Sequence, residues 1–550
     1  MAKIDGATLL ARSLKSQGVD SMFGIVGFPV FGVAAAAQRE GIRYYGFRNE
    51  QAASYAAGAV GFLTGRPGAC LTVSGPGMVH GIAGLANAWA NGWPMILLSG
   101  APDSYQDGMG GFQECPQVEA ARPWVKAGLR PDRIERLPFH VEQLVRTSIS
   151  GRPGAVYLDL PNDILSGETD DEKIALPPAC TEAPRPRADP KEVERALALL
   201  REAKRPLVIV GKGAAQSRAE AEVRSFLERT RLPFLASPMG KGVVPDEHEL
   251  SVAPARSTAL KEADLVFLVG ARLNWIMHFG LPPRFASDVK IIQMDVCAEE
   301  IGRNVPASAA LVGDARAITA QMNAALDAEP WGYPSENEWW QRLRAKVAEN
   351  RAAVEAMERD DSVPMGYYRV LREVRERIPR DAIICSEGAN TMDIGRSSLP
   401  NELPRHRLDA GTFGTMGVGL GFAIAAQVVH PDKKVVAVEG DSAFGFSGME
   451  VEVMCRYGLP ITIVVINNNG IGGGVAELKG DRVPPSVYLP NARYDKVMEA
   501  FGGRGWYVER PEELGPALAE AVANPRPSLV NVMIHPRAQR KPQPFEWLTR

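Results

Sequence analysis

Short apolar runs, each closed by glycine or a small polar residue, recur along the whole chain. In residues 1–165 they are SMFGIVG, IRYYGFRNE, GACLTVSGPG, PMILLSG and GAVYLDLP. Between them lie alanine-rich stretches such as QAASYAAGAVGFLTG, whose apolar positions recur at helical spacing. Runs that do not alternate with polar residues read as strands buried on both faces. Strands that alternate with helices read as a parallel sheet under a helical cover. The opening MAKIDGATLLARSLKSQG reads as a short amphipathic helix, not as a secretory leader.

The pattern lapses over residues 166–190, SGETDDEKIALPPACTEAPRPRADP, where proline and charge replace periodicity and predict a linker. A second α/β block follows, with the helix KEVERALALLREA and the strands PLVIVG, PFLAS, DLVFLVG and VKIIQMDV, ending near Asp327. Residues 328–364 read as a partly helical connector. The third block carries the strands RDAIICSEGAN, KKVVAVEGD, PITIVVINNNG and SLVNVMIHP. The expected architecture is three consecutive α/β domains with parallel sheets, over residues 1–165, 190–327 and 365–550. No short tandem repeat is visible.

Composition adds exclusions. A chain of 550 residues is too long for one core. A net charge of −3 supplies no global basic field, so neither nucleic acid nor an anionic membrane is an expected partner. No apolar run approaches the ~20 residues that span a bilayer. Six cysteines without a CxxC pair and seven histidines without HxxxH argue against a disulfide scaffold and a structural zinc site. Reduced thiols in a cytoplasmic protein are expected.

Two strand ends carry the candidate chemistry. KKVVAVEGD reads as a buried strand with Asp441 at its end, and FSGMEVEVMCRYG as a helix. LPITIVVINNNG is the next strand and ends in Asn467, Asn468 and Asn469. This unit puts Asp441 and Asn468 at the carboxyl ends of two parallel strands, the edge where open α/β sheets bind ligands. A carboxylate, an amide oxygen and a main-chain carbonyl exposed by a turn at Gly470 are hard donors that suit Mg²⁺. N–H groups opening the helix after Asp441 favour a diphosphate in the same place. Aspartate and asparagine are also ordinary turn and cap residues, and the pattern alone leaves both readings open.

The 27-residue separation of Asp441 and Asn468 resembles the signature of thiamine diphosphate (ThDP) enzymes, GDG followed by a spacer and NN, with Ser442 in place of the second glycine. The resemblance extends to RNEQAASYAAGAV, where Glu50 follows a strand and opens an alanine-rich helix. From that position ThDP enzymes present the carboxylate that hydrogen-bonds N1′ of the aminopyrimidine. LTVSGPG, residues 71–77, resembles the glycine turn that lies against the cofactor. GTFGTMGVGLGFAIAAQ, residues 411–427, fails as a dinucleotide loop because its spacing is not GxGxxG and no strand immediately precedes it. The resemblance instead makes Met416 the wedge between the two cofactor rings and the Gly414 carbonyl the acceptor for the 4′-amino group. It implies cofactor contacts from Asn390, Ser442, Ala443 and Ile471, and a Mg²⁺ site of Asp441, Asn468 and Gly470. It also implies pyrimidine-binding, middle and diphosphate-binding domains in that order. The assembly would be a homodimer or homotetramer, with Glu50 from one subunit facing Asp441 of another.

GDSAFGFSGMEVE, with its serine, resembles the branch that holds oxalyl-CoA decarboxylases and 2-hydroxyacyl-CoA lyases. GARLNWIMHFGLPPRF, SPMGKGVVPDEH, GGFQECPQVEAAR and the ending RKPQPFEWLTR lean to the lyase. The activity implied is cleavage of the C1–C2 bond of a 2-hydroxyacyl-CoA to formyl-CoA and an aldehyde or ketone, a reversible reaction on a CoA thioester. The alternative is decarboxylation of oxalyl-CoA to formyl-CoA and CO₂. Phe112 and Gln113 stand where the decarboxylase carries Tyr and Glu, which removes a hydroxyl and a charge and suits a neutral departing aldehyde. His80, in GPGMVHG, matches the lyase pattern, as a proton-transfer group or a structural histidine. Phe28 replaces the usual Ile and Gly472 a common Tyr; one change loosens the pocket and the other fills it, so an altered carbonyl specificity that admits a ketone such as acetone is expected. The resemblance puts Arg396 on the CoA phosphates, and Arg540 and Lys541 in a C-terminal segment that closes as a lid. Arg256, Arg272 and Asn274 are further middle-domain candidates. By likeness to the decarboxylase the middle domain is also a candidate ADP site.

Overall fold

A computed structural model describes residues 3–541 of the chain. Residues 542–550, most of the RKPQPFEWLTR ending and of the expected lid, lie outside the described residues. Three parallel sheets follow one another, as the apolar runs predict. The first has six strands in the spatial order Arg43–Gly46, Ser21–Gly24, Gly68–Thr72, Met95–Ala101, Ala155–Pro161, Gly128–Leu129. The middle sheet has five: Phe234–Ala236, Pro206–Val210, Leu265–Val269, Lys290–Asp295, Ala309–Val312. The third again has six: Arg407–Asp409, Ile383–Glu387, Val435–Gly440, Thr462–Asn467, Ser528–Met533, Arg504–Val508. Read as sequence order within each domain, the first and third sheets share one topology, 2-1-3-4-6-5. In both, the order reverses between the first and third strands, and the crevice at that reversal is where such sheets take ligands.

The helix Glu50–Thr64 ties the two outer domains together. It packs between the helices Pro76–Asn91 and Gly419–Val429 and is buried from Ala52 to Leu63. Only small residues allow this approach. A Cβ at Gly421 would lie 2.6 Å from the Ala52 carbonyl oxygen, and one at Gly84 would lie 2.2 Å from Ser54 Oγ. Overpacking of that kind costs typically about 1–3 kcal/mol. The alanine run is therefore a packing requirement as well as a helix signal.

The opening segment and the linker differ from expectation: Lys3–Asp5, ahead of the helix Gly6–Ser16, pairs antiparallel with Glu168–Asp170. A further element also departs from its expected form. FSGMEVEVMCRYG does not form one helix. Helix begins at Asp441, runs to Ser447, passes through the 3₁₀ turn Gly448–Glu450, and resumes as Val451–Arg456. The break has a cause and a use. A Cβ at Gly448 would meet the Phe444 ring at 2.9 Å, and the bend turns the buried Glu450 carboxyl to accept the Arg48 N–H of the first domain at 3.2 Å.

Candidate active site

At the reversal in the third sheet, Asp441 is the first residue of the helix Asp441–Ser447 and is only 2% exposed. Its Oδ1 accepts the Ser442 N–H at 2.9 Å and its Oδ2 the Gly470 N–H at 2.8 Å. Burial pushes its carboxyl up to about 7, against the pull of those N–H groups. Asn468 and Asn469 follow the strand Thr462–Asn467, and Asn469 takes a left-handed φ of 63° that swings the chain into the Gly470 turn. The end of the Asn468 amide lies 3.2 Å from Asp441 Oδ1 and 2.7 Å from the Gly470 carbonyl oxygen. As the amide stands, its oxygen faces both, and three acceptors converge with no donor between them. Turned over, its nitrogen would donate to both.

That convergence fits a small divalent ion. An octahedron of ~2.1 Å bonds has edges of about 3 Å, and the oxygen separations bracket that value. Among the described residues no group of three or more His, Cys, Asp or Glu side chains converges. A cation here would rest on carboxylate, amide and carbonyl oxygens, as the sequence predicts. Around this cluster, Ala443 is buried, the Ser442 hydroxyl pairs with the Tyr488 hydroxyl at 3.0 Å, and Asn390 lies on the neighbouring helix Ala389–Ser398. Ile471 is exposed. Gly472 stands at φ 71° with nothing within 4 Å of where its Cβ would be, so the missing tyrosine leaves open space.

The loop of residues 411–418 hangs over the same edge and carries Gly414 and Met416. Its anchor went unread in the sequence. Glu387, at the end of the first strand of this sheet, accepts the N–H groups of Gly417 and Gly419, the latter at 2.6 Å. Glu439 lies beside it, wholly buried. Burial, then Glu387, pushes the Glu439 carboxyl well up; burial also raises Glu387, to about 7, but three backbone N–H groups restrain that rise. Of this pair, Glu439 therefore carries the proton. A Cβ on Gly419 would sit 2.0 Å from Glu439 Oε1, which explains the glycine.

A second cluster forms at the matching edge of the first sheet. Glu50 opens its helix after the N-cap Asn49, and Glu50 Oε2 pairs with His80 Nδ1 at 3.0 Å. The turn Gly75–Gly77 brings the chain against Glu50, with Oε1 3.6 Å from where a Gly77 Cβ would lie. Gly75 has φ 55°, and a side chain there would strike the Gln113 carbonyl oxygen at 2.6 Å. The rings of Phe28 and Phe112 meet edge to face, 6.2 Å apart. The structure thus gathers Phe28, Glu50, His80, Phe112 and Gln113 from four separate stretches of the first domain.

Three family models match the chain in order. They are the N-terminal thiamine pyrophosphate (that is, ThDP) binding domain over residues 4–120, the central domain over residues 193–322, and the C-terminal binding domain over residues 388–532. The chain belongs to the thiamine pyrophosphate enzyme family. It is 52% identical to the human "2-hydroxyacyl-CoA lyase 1", covering 100% of this chain and 97% of that protein. It is 46% identical to the "2-hydroxyacyl-CoA lyase" of Arabidopsis thaliana over 97% of this chain and 96% of the relative. It is 44% identical to the "Oxalyl-CoA decarboxylase" of Escherichia coli strain K12 over 97% of this chain and 95% of the relative.

Within this thiamine pyrophosphate enzyme the candidate CoA-binding cations fall into two groups. Arg396 bonds Asp409 at 3.0 Å and Asp393 at 2.9 Å, and Arg540 reaches the same Asp393 at 3.4 Å. Arg256 donates to the Ile276 carbonyl, and burial, then Arg284 and Arg396, bring its pKa down to about 10. Lys541 Nζ donates to Asn350. Arg272 lies apart from these, while Asn274 adjoins Arg256 through Ile276. Arg272 contacts Thr412 of the loop, and Asn274 caps its own turn by accepting the Ile276 N–H.

Glu114 is a site residue the sequence reading missed. Its carboxylate accepts the N–H groups of Gly108, Gly110 and Gly111 at 2.6, 2.8 and 2.9 Å and so folds the loop that carries Phe112 and Gln113. These bonds, Gly108 and Gly111 foremost, hold its carboxyl below the ordinary range. The loop restraint is therefore complete above the ordinary carboxylate pKa and lost as pH falls through the lowered one. Glu114→Ala is expected to lower kcat/KM for the acyl-CoA by about 10- to 100-fold, because small misplacements of pocket groups have such effects. It should also deprotect the Gly108, Gly110 and Gly111 amides in hydrogen exchange, corrected for intrinsic rates. Acid should deprotect them in the wild type but no further in the variant.

Proposed function

We propose that the protein is a ThDP- and Mg²⁺-dependent 2-hydroxyacyl-CoA lyase that releases formyl-CoA and an aldehyde or ketone. The observation that carries this reading is the convergence of the Asp441 carboxylate, the end of the Asn468 amide and the Gly470 carbonyl in a chain 52% identical to a lyase of that name. Those oxygens would hold the metal and, through it, the diphosphate. Gly414 and Met416 would hold the pyrimidine from one side, and Glu50 would accept a hydrogen bond from its ring nitrogen. The bound cofactor supplies the electron sink for the breaking C–C bond.

The chain's own residues supply placement and proton traffic. Glu50 would take up and return the ring-nitrogen proton at its carboxylate, and His80, in contact with it and half exposed, offers that proton a route to solvent. Phe28 and Phe112 form an apolar wall that excludes water. Gln113 offers an amide where a carboxylate would repel an anionic neighbour and leave a charge to neutralise. Arg256, Arg396 and Arg540 concentrate positive charge around Asp393, a field suited to CoA phosphates. The open space at Gly472 supports a roomier carbonyl pocket.

Each chain carries one cluster on its first domain and one on its third, which supports a homodimer or homotetramer with sites completed across subunits. Exposed Val79, Trp89, Phe413, Phe446 and Met449 give such an interface its apolar surface. Six cysteines, all free, agree with the reducing cytoplasm as its setting. A cavity of about 310 Å³ opens at the carboxyl edge of the middle sheet, with Lys212, Arg218 and Arg272 in its wall. Its size and charge support a nucleoside diphosphate such as ADP as its occupant.

The deciding experiment offers ThDP, Mg²⁺ and either a 2-hydroxyacyl-CoA or oxalyl-CoA. Formyl-CoA with an equimolar aldehyde or ketone is the expected product. CO₂ from oxalyl-CoA at a higher kcat/KM would reassign the protein to the decarboxylase reaction. Among lyase substrates, 2-hydroxyisobutyryl-CoA should compete well with straight chains, and a strong straight-chain preference would refute the enlarged pocket.

A further inference from the structure

Three stretches that carry first-domain site residues meet on one buried amide. Gln117 is buried and opens the short helix Gln117–Ala121, just after the loop that carries Phe112 and Gln113. Its Oε1 accepts the Gly75 N–H at 2.7 Å. Its Nε2 donates to the Gly100 carbonyl at 2.9 Å and to Asp159 Oδ1 at 2.6 Å. The partners fix the amide's orientation, because turning it over would set its oxygen against two acceptors and its nitrogen against a donor. Two of the partners lead straight to the site. The Gly75–Gly77 turn backs Glu50 and lies against the Gln113 carbonyl. Gly100 closes on the Phe28–Pro29 turn, where a Cβ on the glycine would lie 2.4 Å from Pro29 Cδ.

Behind the amide stands a carboxylate. Asp159, buried on the strand Ala155–Pro161, also accepts the Tyr157 hydroxyl at 2.6 Å. Its Oδ2 lies 3.3 Å from Arg130 Nη1, and Arg130 Nη2 donates to Asp107 Oδ1 at 2.8 Å. The loop of residues 107–117 is thus fastened at its start through Arg130 and at its end through Gln117, and both fastenings rest on Asp159. Gly75 needs such a hold. At φ 55° and ψ −106° it sits where only glycine goes freely, and a residue with that freedom has its conformation imposed from outside.

We propose that Gln117 is a positioning residue for the reaction: it seats the Gly75–Gly77 turn against Glu50 and joins that turn to the loop that carries Phe112 and Gln113. This rests on the reading of Glu50 as the carboxylate that meets the cofactor, and it adds a single pin on which the cofactor side and the acyl side of the pocket both depend. Loss of the amide frees turn and loop together, while the Asp441 cluster, in the third domain, keeps its own hydrogen bonds.

Gln117→Met keeps length and volume and removes all three hydrogen bonds. In the cofactor-free, full-length protein the Gly75 amide should exchange hydrogen about tenfold faster than in wild type, corrected for intrinsic rates. Calorimetry should show ThDP with Mg²⁺ binding within about threefold of wild type, because the metal cluster is distant and untouched. Deuterium exchange at the thiazolium C2 of bound ThDP should slow, and kcat/KM for the acyl-CoA should fall, each by about 10- to 100-fold. A role in folding alone would lower Tm and leave C2 exchange in the folded, loaded protein unchanged. Gln117→Glu is the second variant, and it decides the matter if the first does not fold. One carboxyl oxygen can still accept the Gly75 N–H, but the other faces the Gly100 carbonyl and Asp159. Tyr157, Arg130, Asp107 and Cys115 are the other titratable groups around Asp159. Two carboxylates so placed share one proton, which raises the pKa of the pair. Above that pKa both ionise and the seat is lost; below it the proton restores a donor toward Asp159. Gly75 protection and C2 exchange should therefore recover in acid toward wild type at the same pH. Wild-type Gly75 protection in Gln117→Met, or no recovery in acid for Gln117→Glu, overturns the pin. Unchanged C2 exchange beside a deprotected Gly75 overturns its link to Glu50. Absence of ThDP binding to wild type would refute the cofactor reading, and Gly75 exchange, read without cofactor, would still decide whether Gln117 seats the turn.

Discussion

Glu50→Ala is expected to abolish nearly all turnover while hardly moving thermal unfolding. The two halves of that outcome follow from where the residue sits. Its helix does not depend on it: Asn49 caps the first turn by accepting the Gln51 N–H at 2.8 Å, and the buried face runs from Ala52 onward. Removing one acid from a first turn costs about 0.3–1 kcal/mol, or a few degrees of Tm in a domain of this size. The chemistry does depend on it. Glu50 contributes the acidic side chain beside the Gly75–Gly77 turn, its partner is a histidine, and loss of a placed proton-transfer group lowers rates by about 10²–10⁴-fold. Glu50→Gln separates charge from shape. It keeps a hydrogen-bonding side chain and should be almost as inactive, with ThDP still bound in calorimetry. Turnover near wild type in either variant would refute the assignment. His80→Ala, which leaves the carboxylate in place, should retain more activity than Glu50→Gln, because solvent can replace an exposed exchange partner.

Strand ends were legible in the sequence, and contacts between distant strand ends were not. Asp441 and Asn468 could be placed because each closes an uninterrupted apolar run, and parallel topology then makes them neighbours. Strands that lack such a run escaped notice: Gly128–Leu129 has two residues, Arg407–Asp409 is mostly charged, and Arg504–Val508 is only partly buried. The common topology of the first and third domains left no repeat to see, because a sheet can conserve its strand order while its residues change. Arg396 shows the limit for single cations. Its motif places it on a helix near the site, yet nothing in the spacing shows that Asp409, on a strand it faces, already accepts from it. Glu114 did leave a faint signal. A carboxylate a few residues after three closely spaced glycines is the composition of a loop whose backbone N–H groups wrap an anion, here supplied by the loop itself.

Asp441→Asn is expected to make the cofactor-free protein as stable as wild type or more so, and to remove its stabilisation by ThDP and Mg²⁺. Two terms compete in the free protein. An unpaired buried carboxylate carries a penalty of several kcal/mol, and Asp441, which meets only N–H groups and the end of the Asn468 amide, has no cationic partner among the described residues. Asparagine relieves that penalty but offers one oxygen where the carboxylate accepted both the Ser442 and Gly470 N–H groups, and an unmet buried donor costs about 1–3 kcal/mol. The charge term is the larger, so the apo Tm should hold or rise. The ligand term then reverses the ranking. Wild type at a hundredfold excess over Kd gains about 2.7 kcal/mol from binding, while the variant, with a neutral amide on the ion, should gain little. Thermal unfolding of both proteins, with and without ThDP and Mg²⁺, reads both terms. A variant clearly less stable than wild type when both are empty would show that Asp441 is there for the fold. Retention of the full cofactor shift would show that some other group holds the ion.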